Sequence, residues 1–130
     1  MKASLLIGLV FLFCWTHIQA SDTYFTGSCR NVTHNLDGFL KLVISQTDDN
    51  LEGYMSISGA LGGSGVLKGM REGNRYTFET VDEIHDLKIR WQGTLRGSVL
   101  SGEYFIAPQP AQGLAKQVGE WEVTESKAVL

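Results

Sequence analysis

The chain of 130 residues contains little cysteine and little proline, two residues of each. Cys14 lies in an N-terminal apolar segment that we expect to be removed, which leaves Cys29 alone in the mature chain. One thiol cannot form an intrachain disulfide or supply the paired cysteines of a zinc motif. We therefore expect Cys29 to be a small, partly buried thiol; the alternative is an intermolecular disulfide or a reactive thiol.

Positive charge is also scarce. Eleven lysines and arginines stand against fourteen aspartates and glutamates, which gives a net charge of −3, and no basic run occurs. Nucleic acids and anionic membranes attract proteins through clustered basic side chains. The sequence therefore predicts no nucleic-acid partner and, after signal cleavage, no membrane partner.

Recognisable catalytic motifs are missing as well. The glycine-rich residues 58–69 (SGALGGSGVLKG) lack the spacing and the following helix of a phosphate-binding loop. No G-x-S-x-G elbow is present, and His34 and His85 lie outside any zinc-binding spacing. We expect both histidines to be solvated; a metal or acid–base pair of His85 with a neighbouring carboxylate is the alternative. The sequence thus predicts a non-enzymatic protein without metal or cofactor.

The N-terminal residues 1–20 have the features of a secretory signal peptide. Lys2 provides the positive start, residues 4–15 are apolar, and Ala20 is a small residue at the expected cleavage site. The apolar run is shorter than the roughly 20 residues that a membrane-spanning helix needs. We therefore expect a signal peptide over 1–20, one domain over 21–130, and a secreted or periplasmic location.

The mature chain shows period-two alternation of apolar and polar residues, and no segment has the stripe of an amphipathic helix. One apolar and one polar face per strand is typical of antiparallel sheets with one wet side. Eight strands are predicted, at 23–28, 39–47, 51–58, 64–71, 75–81, 87–95, 99–106 and 118–124.

The connections alternate between short and long. Compact turns at 48–50, 72–74 and 96–98 recur every 24 residues, and GMREGN resembles GTLRGS at that spacing. Longer loops at 29–37, 59–63, 82–86 and 107–117 alternate with them. An up-and-down meander would gather the two sets at opposite ends. The sequence therefore predicts an all-β, eight-stranded antiparallel up-and-down barrel; a two-sheet β-sandwich is the alternative.

The tripeptide Gly119, Glu120 and Trp121 is similar to a Gly-x-Trp signature that calycin-like barrels carry on their first strand; here it lies on the last strand. Together with the export signal and the eight-strand meander, it makes the mature chain resemble the avidins, the lipocalins and the barrel-type protease inhibitors of bacteria. The resemblance covers the architecture of the whole mature chain and implies a closed barrel. It assigns no binding residue.

Two functions fit such a barrel. In the first, a small, largely apolar molecule enters through the loop-rich end, where Tyr76, Trp91 and Tyr104 would line the site and His34 and His85 would stand near it. In the second, the aromatic residues fill the barrel, and the loops, including 107–113 (APQPAQG), contact or inhibit another exported protein. We lean to the first.

A modification site adds to these predictions. Asn31, Val32 and Thr33 form an N-glycosylation sequon in a predicted loop. Asn31 is therefore a possible glycosylation site if the source is eukaryotic.

Overall fold

The computed structural model describes residues 21–126; the predicted signal peptide and residues 127–130 lie outside the described residues. Eight strands and one short 3-10 turn at Pro110–Gln112 account for this part of the chain. No helix within residues 21–126 is long and apolar enough to cross a membrane. The strands are β1 (Ser21–Asn31), β2 (Leu36–Thr47), β3 (Asn50–Gly59), β4 (Gly65–Glu72), β5 (Arg75–Asp82), β6 (Leu87–Arg96), β7 (Val99–Ile106) and β8 (Gln117–Ser126).

Each strand pairs antiparallel with its neighbours in sequence, and β1 pairs with β8 to close the barrel. The closing ladder runs from Tyr24 opposite Ser126 to Asn31 opposite Gly119. The predicted eight-stranded up-and-down barrel is thereby confirmed, and the sandwich alternative is wrong. Closure leaves no sheet edge with unpaired backbone groups, and the architecture is consistent with that of the calycin-like barrels.

The first hairpin is longer than its side-chain pattern indicates. Its ladder continues to Asn31 opposite Leu36, so the first long loop spans 32–35 and not 29–37. The outward pair Arg30 and Asp37 looks like loop sequence because both side chains are charged. Their facing positions on β1 and β2 instead bring Arg30 Nη1 within 3.9 Å of Asp37 Oδ1.

Four aromatic rings fill the middle of the barrel; this group of Phe78, Trp91, Tyr104 and Trp121 is called the aromatic plug below. Ring centroids lie 4.8 Å apart for Trp91 and Tyr104 and 5.6 Å apart for Trp91 and Trp121. Both indole nitrogens are satisfied, since Trp91 Nε1 donates to Thr80 Oγ1 at 2.9 Å and Trp121 Nε1 to the Glu103 carbonyl at 3.1 Å. Each such ring pair adds about 0.5–1.5 kcal/mol beyond area burial.

Inward-facing glycines make room for the aromatic plug. Phe78 stands opposite Gly69, Tyr104 opposite Gly119, and Trp121 opposite Gly102. A Cβ at Gly119 would overlap the Tyr104 ring. Because the interior of an eight-stranded barrel is only just wide enough for side chains, large rings on one strand require empty positions on the next.

The two ends of the barrel differ as predicted. Two-residue turns join β2 to β3, β4 to β5 and β6 to β7 at one end, called the closed end, where the described chain also begins and stops. The first turn residues, Asp48, Gly73 and Gly97, have φ values of 54°, 58° and 62°. The long loops, 32–35, 60–64, 83–86 and 107–116, meet at the other end, called the mouth.

Replacing Gly97 by alanine should lower the free energy of unfolding by about 1 kcal/mol, because the left-handed backbone conformation costs a residue with a Cβ about that much. A Cβ at Gly97 meets no atom within 4 Å, so packing adds no cost. Urea unfolding measures the change. The matched control is Ser98→Ala in the same turn, for which we expect less than about 0.5 kcal/mol. Equal losses in the two variants would contradict the assigned turn geometry.

Candidate ligand-binding site

A cavity of about 410 Å³ opens at the mouth, above the aromatic plug. Trp91 and Tyr104 reach it from the plug, while three isoleucines from β3, β6 and β7 form apolar walls, and the long loops provide the rim. The lining residues are Cys29, Asn31, Ile57, Leu61, Gly62, Gly63, His85, Leu87, Ile89, Trp91, Tyr104, Ile106, Gln109, Leu114 and Gln117.

Three of the five residues expected at a ligand site, Trp91, Tyr104 and His85, line this cavity. Tyr76 lies instead near the closed end, where the Arg71 guanidinium stands 5.0 Å from its ring centroid. The alternation in β5 correctly predicts that Tyr76 points inward, but Tyr76 is the second residue after the turn at 73–74 and therefore lies far from the mouth. His34 is exposed in the loop 32–35 and is not among the lining residues.

Sequence reasoning missed a polar pair at the rim. Asn31 Nδ2 donates to Gln117 Oε1 at 2.8 Å, and Asn31 Oδ1 accepts from the His34 backbone at 3.0 Å. Asn31 continues the inward face of Phe25 and Cys29, a signal that extending the predicted strand 23–28 by three residues would have shown. The nitrogen that a glycan would occupy is thus engaged, and 4% of the Asn31 surface is exposed; glycosylation of Asn31 stays a prediction.

A second polar pair holds the loop 83–86. The buried Asp82 carboxylate accepts from the Ile84 and His85 backbone nitrogens and lies 2.7 Å from His85 Nδ1. The side-chain bond from His85 lowers the pKa of Asp82, although burial opposes the shift. Within residues 21–126, no three His, Cys, Asp or Glu side chains converge as metal ligands. The pair therefore fixes the loop beside the cavity.

The last and third long loops are tied together across the mouth. Gln109 and Leu114 form an isolated β-bridge, and Gln109 Nε2 donates to the Asp86 carbonyl at 3.0 Å. Gln109 and Leu114 both line the cavity. The segment 107–113 is consequently folded against the neighbouring loop and forms part of the rim.

The cavity has almost no charge. Its lining contains no Asp, Glu, Lys or Arg. Burial, followed by the nearby Asp37 charge, raises the pKa of the Cys29 thiol to about 11. Burial likewise raises the pKa of Tyr104 well above its usual range. Both groups are therefore neutral at physiological pH.

No protein-family model matches the chain, and neither a curated protein nor a solved structure shows significant similarity to it.

Cys29 should react slowly with iodoacetamide in the folded protein. At pH 8 a pKa of about 11 leaves about 0.1% thiolate, against about 9% at the ordinary value of 9.0, so alkylation should be roughly 100-fold slower than in urea. Peptide mass spectrometry at Cys29 measures both rates. Equally fast alkylation of the folded chain would support a reactive thiol instead.

The Asp82 carboxylate should make stability depend on acid pH. Because its pKa in the fold lies below the ordinary 3.8, its contribution is present above 3.8 and is lost as the pH falls through the folded value. Asp82→Asn should therefore be less stable than the wild type near neutral pH, and the difference should shrink in acid. Urea unfolding between about pH 7 and about pH 2 measures it.

Asp86→Asn is the matched control, since Asp86 lies in the same loop with an exposed side chain. Its stability should follow that of the wild type at every pH. A wild-type advantage over Asp82→Asn that stays constant into acid would contradict the role given to the carboxylate charge.

Proposed function

We propose that the protein is a non-enzymatic, exported binding protein that holds a small, neutral, largely apolar molecule in the cavity at the mouth. The observation that supports this function most directly is the cavity itself: about 410 Å³ of space with apolar walls and no charged carboxylate, amine or guanidinium in its lining. Small-molecule sites in proteins occupy roughly 300–1,000 Å³ and combine apolar walls with a few polar groups.

The aromatic plug provides a rigid floor for such a ligand. Trp91 is held by its hydrogen bond to Thr80 and by contacts with the other rings of the plug, so the side that borders the cavity has a fixed position. A preformed site avoids the cost of ordering side chains on binding. The interior thus combines solid packing in the middle with open space at the mouth, so the packed rings leave room for a ligand.

The expected affinity is moderate. The free energy gained by burying apolar ligand surface is partly cancelled by the loss of translational and rotational freedom, so we expect dissociation constants in the micromolar to millimolar range. A fluorescent, neutral, apolar probe such as N-phenyl-1-naphthylamine is suited to this range. Its emission should rise on binding.

Gly62→Phe should weaken binding of this probe about tenfold or more, because a side chain added at the rim fills space that the ligand needs. Gly62 lines the cavity, and a Cβ there meets no atom within 4 Å, so the barrel accommodates the substitution. The matched control is Ala60→Phe, in the same loop, exposed and outside the lining. Equal affinities in the two variants would place the probe elsewhere.

One observation favours the alternative, a protein-interaction or inhibitor module. Ile84, at the tip of the loop 83–86, exposes 90% of its surface, and an apolar side chain in that position suits contact with another protein. The probe titration separates the two proposals. A protein that binds no neutral apolar probe, in the wild type or in Ala60→Phe, would leave the loop-contact function as the better explanation.

A further inference from the structure

We infer that the bound molecule carries an uncharged hydrogen-bond acceptor, such as a carbonyl oxygen, an ether oxygen or a ring nitrogen, and that the Tyr104 hydroxyl donates to it. This inference rests on the proposed function and narrows its ligand class. The molecule is thus apolar over most of its surface, with one polar group directed toward the β1–β8 side of the cavity floor.

Each of the other polar side chains singled out around the cavity makes at least one hydrogen bond. Asn31 bonds to Gln117, Trp91 to Thr80, His85 to Asp82, and Gln109 to the Asp86 carbonyl. These bonds orient the amides and the His85 ring at the rim, and at the floor they use the single indole donor of Trp91. The donor that remains at the floor is the Tyr104 hydroxyl, with the Cys29 thiol as a much weaker one.

Tyr104 differs from these residues. Only 3% of its surface is exposed, its ring lies over Gly119, and no hydrogen bond joins its hydroxyl to another group within residues 21–126. Tyr104 lines the cavity, so its hydroxyl is the donor that we assign to a ligand atom at the floor.

The surroundings decide what kind of group can meet this hydroxyl. An anionic ligand would find no lysine or arginine in the lining, and burying an unpaired charge is costly. A purely apolar ligand would displace water from the hydroxyl and leave a buried donor unsatisfied, which also costs free energy. A neutral acceptor avoids both costs, and the Tyr104 phenol remains protonated and can donate a hydrogen bond to it.

Two probes of nearly equal shape test the inference: 2-acetylnaphthalene, which has a carbonyl oxygen, and 2-isopropenylnaphthalene, which has a methylene group in its place. Calorimetric titration of the full chain gives the ratio of the two affinities. Tyr104→Phe should shift this ratio about three- to tenfold against the ketone, because it removes both the donor for the ketone and the unsatisfied hydroxyl that weakens hydrocarbon binding. Because the ketone-to-hydrocarbon ratio is compared between the wild type and the variant, the difference in hydration of the two probes cancels.

Tyr76→Phe is the matched control, because it removes a tyrosine hydroxyl near the closed end, away from the cavity lining. It should leave the ratio unchanged. If Tyr104→Phe also leaves it unchanged while both probes bind, the inference is overturned and the proposed function stands. If neither probe binds to the wild type, both fail.

If the Tyr104→Phe variant does not fold, a measurement on the wild type tests the inference instead. The infrared carbonyl stretch of the bound ketone should lie at the lower frequency typical of hydrogen-bonded ketones. A frequency equal to that in hydrocarbon solvent would overturn the inference without any substitution.

Discussion

The limited width of an eight-stranded barrel is the constraint on which the rest of this structure depends. Four large rings fit at the same height in such an interior only if neighbouring strands carry glycine opposite them. Gly69, Gly102 and Gly119 are these glycines, and each lies directly opposite a ring of the aromatic plug. The result is a densely filled middle, which supplies stability and also separates the interior above it from the closed end below.

Much of the fold could be predicted from the sequence, because strand alternation and turn chemistry are local properties. The faces of β2, β3 and β5 to β8 and the three tight turns follow from residues that are near one another in the chain, whereas β4 exposes the apolar Val66 and Met70 on its outer face. The two-residue alternation shows which face of the sheet a side chain lies on, but not how far along the barrel axis it lies. Tyr76 and Trp91 share an inward face, yet one lies near the closed end and the other borders the cavity. The position of Tyr76 shortly after a tight turn indicates that it lies near the closed end.

The rim was harder to predict, because its bonds join residues far apart in sequence. Asn31 and Gln117 are 86 positions apart and meet only when β1 closes on β8. The end of the β1–β2 hairpin, where Arg30 faces Asp37, resembles a loop in sequence for a related reason, since charged outward residues are also typical of solvent-exposed turns. Side chains whose partners depend on closure are therefore the part of the site that local patterns leave undetermined.

Both ends of the described chain, at Ser21 and Ser126, leave the barrel at the closed end, on neighbouring strands. A fusion partner or surface anchor joined at either position would hold the barrel with its mouth pointing away from the attachment. Ser126 could also be joined to Ser21 by a short linker and the chain reopened at another tight turn, giving a circular permutant with an unaltered mouth. The barrel is thus suited to being an oriented scaffold, in which the four long loops can be varied without involving the tether.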